Sequence, residues 1–249
     1  MSARVESAQP PYKPEVQAVF DRLPRSWMPP FKLFTVLARD ANLLQRFIRG
    51  APAYFDGSHL TVRQREILLD RVTANCRCEY EWGMRIHYFA EEAGLNDAQV
   101  IASVYGSAED DCWSPQEKLL IRLADDLHDS CDIGDALWED LSAAFNAEAI
   151  LEMLLLAGYY RTVAYLANGL RLPLEPKVGR CFPAAGGQGR PEGSTEVNRR
   201  LMQDVFAALA ADDSRPFGEA MAEDFRWVVM GGTKWSRAYE GRGAVLAVL

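Results

Sequence analysis

Between Phe31 and Leu170 the apolar residues of this chain return every three or four positions, and no run in that span alternates at the two-residue period of a strand. That pattern confines the segment to packed helices. Phe31, Leu33, Phe34, Leu37, Leu43, Leu44 and Phe47 predict one helix stopped by Gly50 and Pro52. Residues 60–75 set Ile67, Leu68 and Val72 among straight-chain helix formers. Residues 78–93 align Trp82, Ile86, Phe89 and Ala93 on one stripe, with Gly94 where a C-cap belongs. Further helices are expected over residues 97–105, 114–127, 135–145 and 147–170, the second of them capped by Ser114 ahead of Pro115. The expected fold class is an all-α helical bundle.

The flanks differ from this centre. Residues 1–30 carry Pro10, Pro11, Pro14, Pro24, Pro29 and Pro30, which limit helices to short pieces and predict a wrapping arm. The helical domain is expected over 31–175, and the Gly- and Pro-dense stretch 176–195 is expected as a linker. Residues 196–249 begin with an amphipathic helix pattern and contain the first strand-like run, Phe225 to Met230, so a short, incomplete α+β segment is expected there.

A formal net charge of −8 argues against a nucleic-acid surface, which needs clustered Lys and Arg. The longest apolar run, Met153 to Tyr160, lies between Glu152 and Arg161 and is too short to span a bilayer, so no membrane partner is expected. The N-terminus has no apolar core of a secretory signal, and the five cysteines are odd in number, which suggests free thiols and a cytoplasmic location.

Chemistry concentrates in Arg65-Glu66 and in the stretch from Asn75 to His87. Cys78, Glu81 and Arg85 fall at i, i+3 and i+7 and share a helix face, set apart from the Trp82, Ile86, Phe89 stripe. Cys76, Tyr80 and His87 are auxiliary candidates. His87 points to the opposite side with Met84 and Glu91, as a surface or interface histidine would. His59 and His128 lack ligand-spaced partners, so neither a metal site nor a cofactor is expected.

The segment resembles the carboxymuconolactone decarboxylase and alkylhydroperoxidase-D family. There a glutamate stands twelve residues before a Cys-x-Tyr-Cys-x-x-Ala-His helix start; here Glu66 stands twelve before Cys78, with Tyr80 in register. Glu81 takes the place of the second cysteine, Met84 of the alanine and Arg85 of the histidine. The decarboxylase branch, with Glu-Leu-x-x-His, is similar at Glu81 and departs at Arg85. The resemblance, over about residues 30–175, implies a helical bundle that assembles as a homo-oligomer around a small-molecule substrate, either a hydroperoxide or a small carboxylate or lactone.

Three readings of these residues stay open. In a thiol-peroxidase reading, Cys78 near a helix start and beside Arg77 attacks a peroxide, with Cys76 as the nearest resolving thiol. In an acid–base reading, Glu66 and Glu81 tune each other's proton affinity while Arg85 holds a carboxylate or enolate oxygen, with no cofactor required. In a non-catalytic reading, Glu81 and Arg85 form an ordinary ion pair, Cys78 is a small buried hydrophobe and the chain is a scaffold or binding module. Residues 196–249 loosely resemble the opening half of a polyketide-cyclase-like cone of the nuclear-transport-factor superfamily, which implies an incomplete sheet.

Overall fold

The computed structural model describes residues 3–50 and 58–183, together with short pieces beyond residue 202. The chain divides into two units, 1–187 and 188–249. In the first, the helices are α1 (Pro14–Phe20), α2 (Lys32–Leu37), α3 (Ala41–Gly50), α4 (Val62–Asn75), α5 (Glu79–Phe89), α6 (Asp97–Tyr105), α7 (Pro115–Asp129), α8 (Asp135–Ala144) and α9 (Ala147–Leu170), with a 3₁₀ turn at Arg25–Trp27. The expected helical bundle is what this unit forms.

Helix starts follow local chemistry. Thr61, Asn96 and Ser114 each accept a hydrogen bond from the backbone three residues on, and Gln64, Gln99 and Glu117 answer with their own side chains. Gly94 sits at φ 63° past α5, in the left-handed region that favours glycine. The single helix expected from Phe31 to Gly50 is two. Asp40 accepts from the N–H groups of Asn42 and Leu43 at 2.8 and 2.9 Å, which caps α3 and separates it from α2.

α4 lies at the centre, packed against α5, α6, α7 and α9. Ile67, Leu68 and Leu69 are fully buried in it, each contributing on the order of 1.5–3 kcal/mol. α7 runs parallel beside it, in register through Arg63–Glu117 at 2.5 Å and Arg71–Asp125 at 2.6 Å. α9 is long and apolar enough to cross a membrane by length and composition, and Ile150, Met153, Leu156, Tyr160 and Val163 bury one of its faces in the bundle. The N-terminal arm is tied down: Val16 and Phe20 pack with Ala38 and Leu44, and the N–H of Ala8 donates to the carbonyl of Thr35 at 2.9 Å.

Residues 176–183, expected as linker, are held against α5. Phe182 packs on Trp82 with ring centroids 5.2 Å apart, and its N–H donates to Glu79 at 2.9 Å. An aromatic ring that can cover Trp82 is worth more buried than solvated, which fixes this irregular segment despite Pro176, Gly179 and Pro183. The rest of the expected linker lies outside the described residues.

In the second unit the described pieces include a short helix, Arg215–Ala220, and two antiparallel strands, β1 (Arg226–Val228) and β2 (Ala238–Glu240), with Trp227 opposite Tyr239. Residues 226–228 of the expected strand-like run are therefore paired, and its other residues lie outside the described ones. Most of the remaining segment lies outside the described residues.

Candidate functional site

The site is built where α4 hands over to α5. Cys76 ends α4, Arg77 turns the chain at φ 52°, and Cys78 opens α5, its N–H donating to the carbonyl of Thr73 at 2.9 Å. This reversal sets the two helices side by side, so Glu66 and Asp70 on α4 look across at Glu81 and Arg85 on α5.

Arg85 is the hub. Its Nη2 donates to both oxygens of Glu66, at 2.7 and 2.5 Å, and its Nη1 stands 3.6 Å from Glu81. Glu66 also accepts from Nε of Arg65 at 2.9 Å. The guanidinium lies 4.5 Å from the Tyr160 ring centroid and 5.2 Å from that of Phe89. Glu66 and Arg85 are almost fully buried, and such a pair is tolerated only with this density of partners. Burial works against the charge on Arg85, but its acidic neighbours, Glu66 first, outweigh it and hold the group firmly protonated.

Glu81 differs from Glu66. Its side chain is 13% exposed, and its contact with Arg85 is long. Burial lifts its proton affinity, Arg85 draws it down and Glu66 lifts it again, for a net rise above the ordinary carboxylate range. Glu81 and Arg85 form the polar wall of a cavity of about 70 Å3 whose other walls include Phe31, Phe47, Tyr159 and Tyr160. A larger apolar groove of about 980 Å3 shares Trp27, Tyr88 and Phe89 with it.

Of the residues expected at the site, Glu66, Glu81 and Arg85 are brought together and Cys78 stands apart. Cys78 is fully buried, packs in the core with Tyr80 and Met84, and is not a wall of the cavity. Burial pushes its thiol up to about 12, against the helix-start N–H groups of Glu81 and Tyr80. Cys76 faces a second cavity of about 180 Å3, with His128, Cys131 and Arg161. All five cysteines are free.

Tyr80 is a strut. Its hydroxyl donates to Glu175 at 2.5 Å and accepts from the N–H of Leu33 at 3.2 Å. His87 is exposed and meets Tyr88 edge-on, with centroids 5.0 Å apart. Phe89, expected on the packed stripe with Trp82 and Ile86, stacks on Arg85 and belongs to the site side. At i+4 it follows Arg85 up the helix, while Trp82 and Ile86 form a separate cluster with Ala74.

Sequence reasoning missed Asp70. It is 1% exposed, one turn after Glu66, and its Oδ1 has no hydrogen-bond partner. Its signal was a lone acid inside the run Ile67-Leu68-Leu69-Asp70, at i+4 from Glu66 on a buried helix. Among the described residues no three His, Cys, Asp or Glu side chains are grouped to hold a metal ion.

No protein-family model and no curated protein matches the chain. Solved structures do match. A peroxidase-related protein from Silicibacter sp. TM1040 superposes with a TM-score of 0.60 at 16% identity, covering 72% of this chain and 95% of that one. A cysteine-to-alanine variant of the debrominase Bmp8, in complex with 2,3,4-tribromopyrrole, gives 0.56 at 13% identity over 71% and 94%. A protein of unknown function from Agrobacterium tumefaciens, whose description names AhpD antioxidant defence, gives 0.50 at 19% identity over 55% and 93%. The helical unit therefore has the AhpD-like fold. The polyketide-cyclase-like likeness of residues 196–249 gains no support from these structures.

Proposed function

We propose that the chain is an AhpD-fold enzyme that transfers a proton on a small carboxylate or lactone, with Glu81 as general acid–base and Arg85 as the group that holds the substrate's oxygen. The position of Glu81 carries this reading: it is the carboxyl that both touches Arg85 and faces a cavity with mainly aromatic walls. Glu66 is spent on fixing Arg85, which leaves Glu81 as the mobile proton carrier. For a keto or lactone acid, the bond to the departing CO2 breaks and its electron pair moves to the neighbouring carbonyl oxygen beside Arg85. A C–H bond then forms with a proton that Glu81 takes from water and passes on, and the hydroxide left behind meets the CO2 as bicarbonate, so Glu81 ends as the carboxylate it began. The debrominase neighbour, solved with a small aromatic ring bound, accords in kind with the aromatic walls here.

One observation favours a thiol-peroxidase reading: Cys78 opens α5 in a fold shared with a peroxidase-related protein. Its burial and raised pKa oppose that reading. The expected homo-oligomer belongs to the same proposal, and the exposed Leu151, Leu155 and Tyr165 on α9 offer an apolar surface for it.

The test offers small β-keto acids and unsaturated lactone carboxylates in D2O, following CO2 release and deuterium incorporation, and separately offers cumene hydroperoxide. Wild type and Cys78→Ala should turn over the acid, with Glu81→Gln slower by about 10²–10⁴-fold. Hydroperoxide consumption abolished by Cys78→Ala, with Glu81→Gln unaffected, would establish the thiol reading. Inactivity in both assays would favour a scaffold.

A further inference from the structure

Three carboxyls, Glu66, Asp70 and Glu81, are gathered in the buried cluster with two guanidiniums, Arg65 and Arg85. Fully ionised, the set would carry one net negative charge away from water, which is costly, whereas one retained proton makes it neutral. The geometry says where that proton resides. Glu66 accepts from both arginines and Glu81 is beside Arg85, so each has a cation to balance its charge. Asp70 has an oxygen sealed from solvent and without a donor. A carboxylate oxygen in that position loses its water and gains nothing, so the neutral acid is favoured.

We propose that the cluster is a one-proton store, with Asp70 as the carboxyl that keeps the proton at neutral pH and thereby leaves Glu81 as the ionisable group facing the cavity. Asp70 is then a positioning residue: it touches no substrate and acts on Glu81 by fixing the charge of the cluster. That last role rests on the acid–base reading of Glu81, whereas the store itself does not. The groups acting on Asp70 are Glu66 on its own helix and Arg85 and Glu81 on α5, and Tyr160 of α9 stacks on that Arg85. Burial is the largest influence on Asp70, Glu66 adds to it and Arg85 opposes it, for a proton affinity well above the ordinary range.

Infrared spectroscopy of the full chain at pH 8 reads the store directly, without any substrate. The expected result is a protonated-carboxyl C=O band that moves when the protein carries aspartate labelled with 13C in its side-chain carboxyl, and stays put when glutamate is labelled instead. The band should vanish in folded Asp70→Asn and survive in Glu81→Gln. Because the isotope labels act on wild-type protein, the result stands even if Asp70→Asn fails to fold. A missing band, or one that moves with labelled glutamate, overturns the proposal. Failure of every decarboxylation substrate alongside an aspartate band would sink the acid–base reading and leave the store intact.

Discussion

Arg85 reaches from α5 to α4 and gives one nitrogen, Nη2, to both oxygens of Glu66, at 2.7 and 2.5 Å. Both side chains are sealed from solvent, so neither can regain water if the other is removed. Arg85→Met and Glu66→Leu should each cost about 3–5 kcal/mol, the penalty of stranding one buried charge. The double variant should recover part of that loss, because neither of the two is left without the other, while Arg65 and Glu81 each lose a partner. Urea denaturation of the four proteins checks this; strictly additive losses would show that the two charges are not balancing each other.

Thiol reactivity should follow burial and not the sequence motif. Cys131 and Cys181 are exposed, Cys76 and Cys112 are half-buried and Cys78 is sealed, with its thiol pushed up to about 12. A maleimide followed by peptide mass mapping at pH 8 should label Cys131 and Cys181 first, and Cys78 only under denaturing conditions. Early labelling of Cys78 in the folded protein would mean that it opens to solvent, which the thiol-peroxidase reading requires.

Stability should fall as pH rises above the ordinary carboxylate range. Asp70 and Glu81 hold protons more tightly in the fold than unfolded, where their pKa values are about 3.9 and 4.3. The stabilisation they bring is complete below those values and is lost as pH climbs through the raised ones. Each group contributes at most about 1.4 kcal/mol per pH unit across that window. Glu117, lowered by Arg63 and Ser114 despite burial, acts with the opposite sign and only on the acid side. Denaturation curves between pH 5 and 8 should therefore slope less in Asp70→Asn than in wild type; equal slopes would mean Asp70 is already ionised.

Much of this architecture was legible because helix signals are local. Ser114 ahead of Pro115 and Gly94 after α5 stand where the caps form. The break at Asp40 was hidden because apolar spacing continues across it, and only a side chain capping two N–H groups distinguishes two helices from one. At the site, i, i+3, i+7 geometry found Glu81 and Arg85, and the spacing of Glu66 from Cys78 found their partner. Periodicity cannot tell which face of a helix meets another helix. Phe89 was thus placed with the core stripe when it stacks on Arg85, and Asp70 was lost among the leucines that bury it. Cys78 shares the α5 register with Glu81, yet as the cap residue it is turned into the core.

Gly83 separates two opposed effects on α5. In an open helix position, replacing glycine by alanine stabilises by about 1 kcal/mol. Gly158 on α9 has nothing near the place of a Cβ, so Gly158→Ala should show that gain. At Gly83 the new methyl would collide with the backbone N and O of Arg180, because the segment carrying Phe182 lies directly on the helix. Backbone cannot swing aside as a side chain does, so the segment must lift or the helix must shift, at about 1–3 kcal/mol. Gly83→Ala should therefore be less stable than wild type and cleave faster with trypsin after Arg180, while Gly158→Ala cleaves at the wild-type rate. Unchanged cleavage in Gly83→Ala, together with a helix-propensity gain, would mean that residues 180–182 do not rest on α5 in solution.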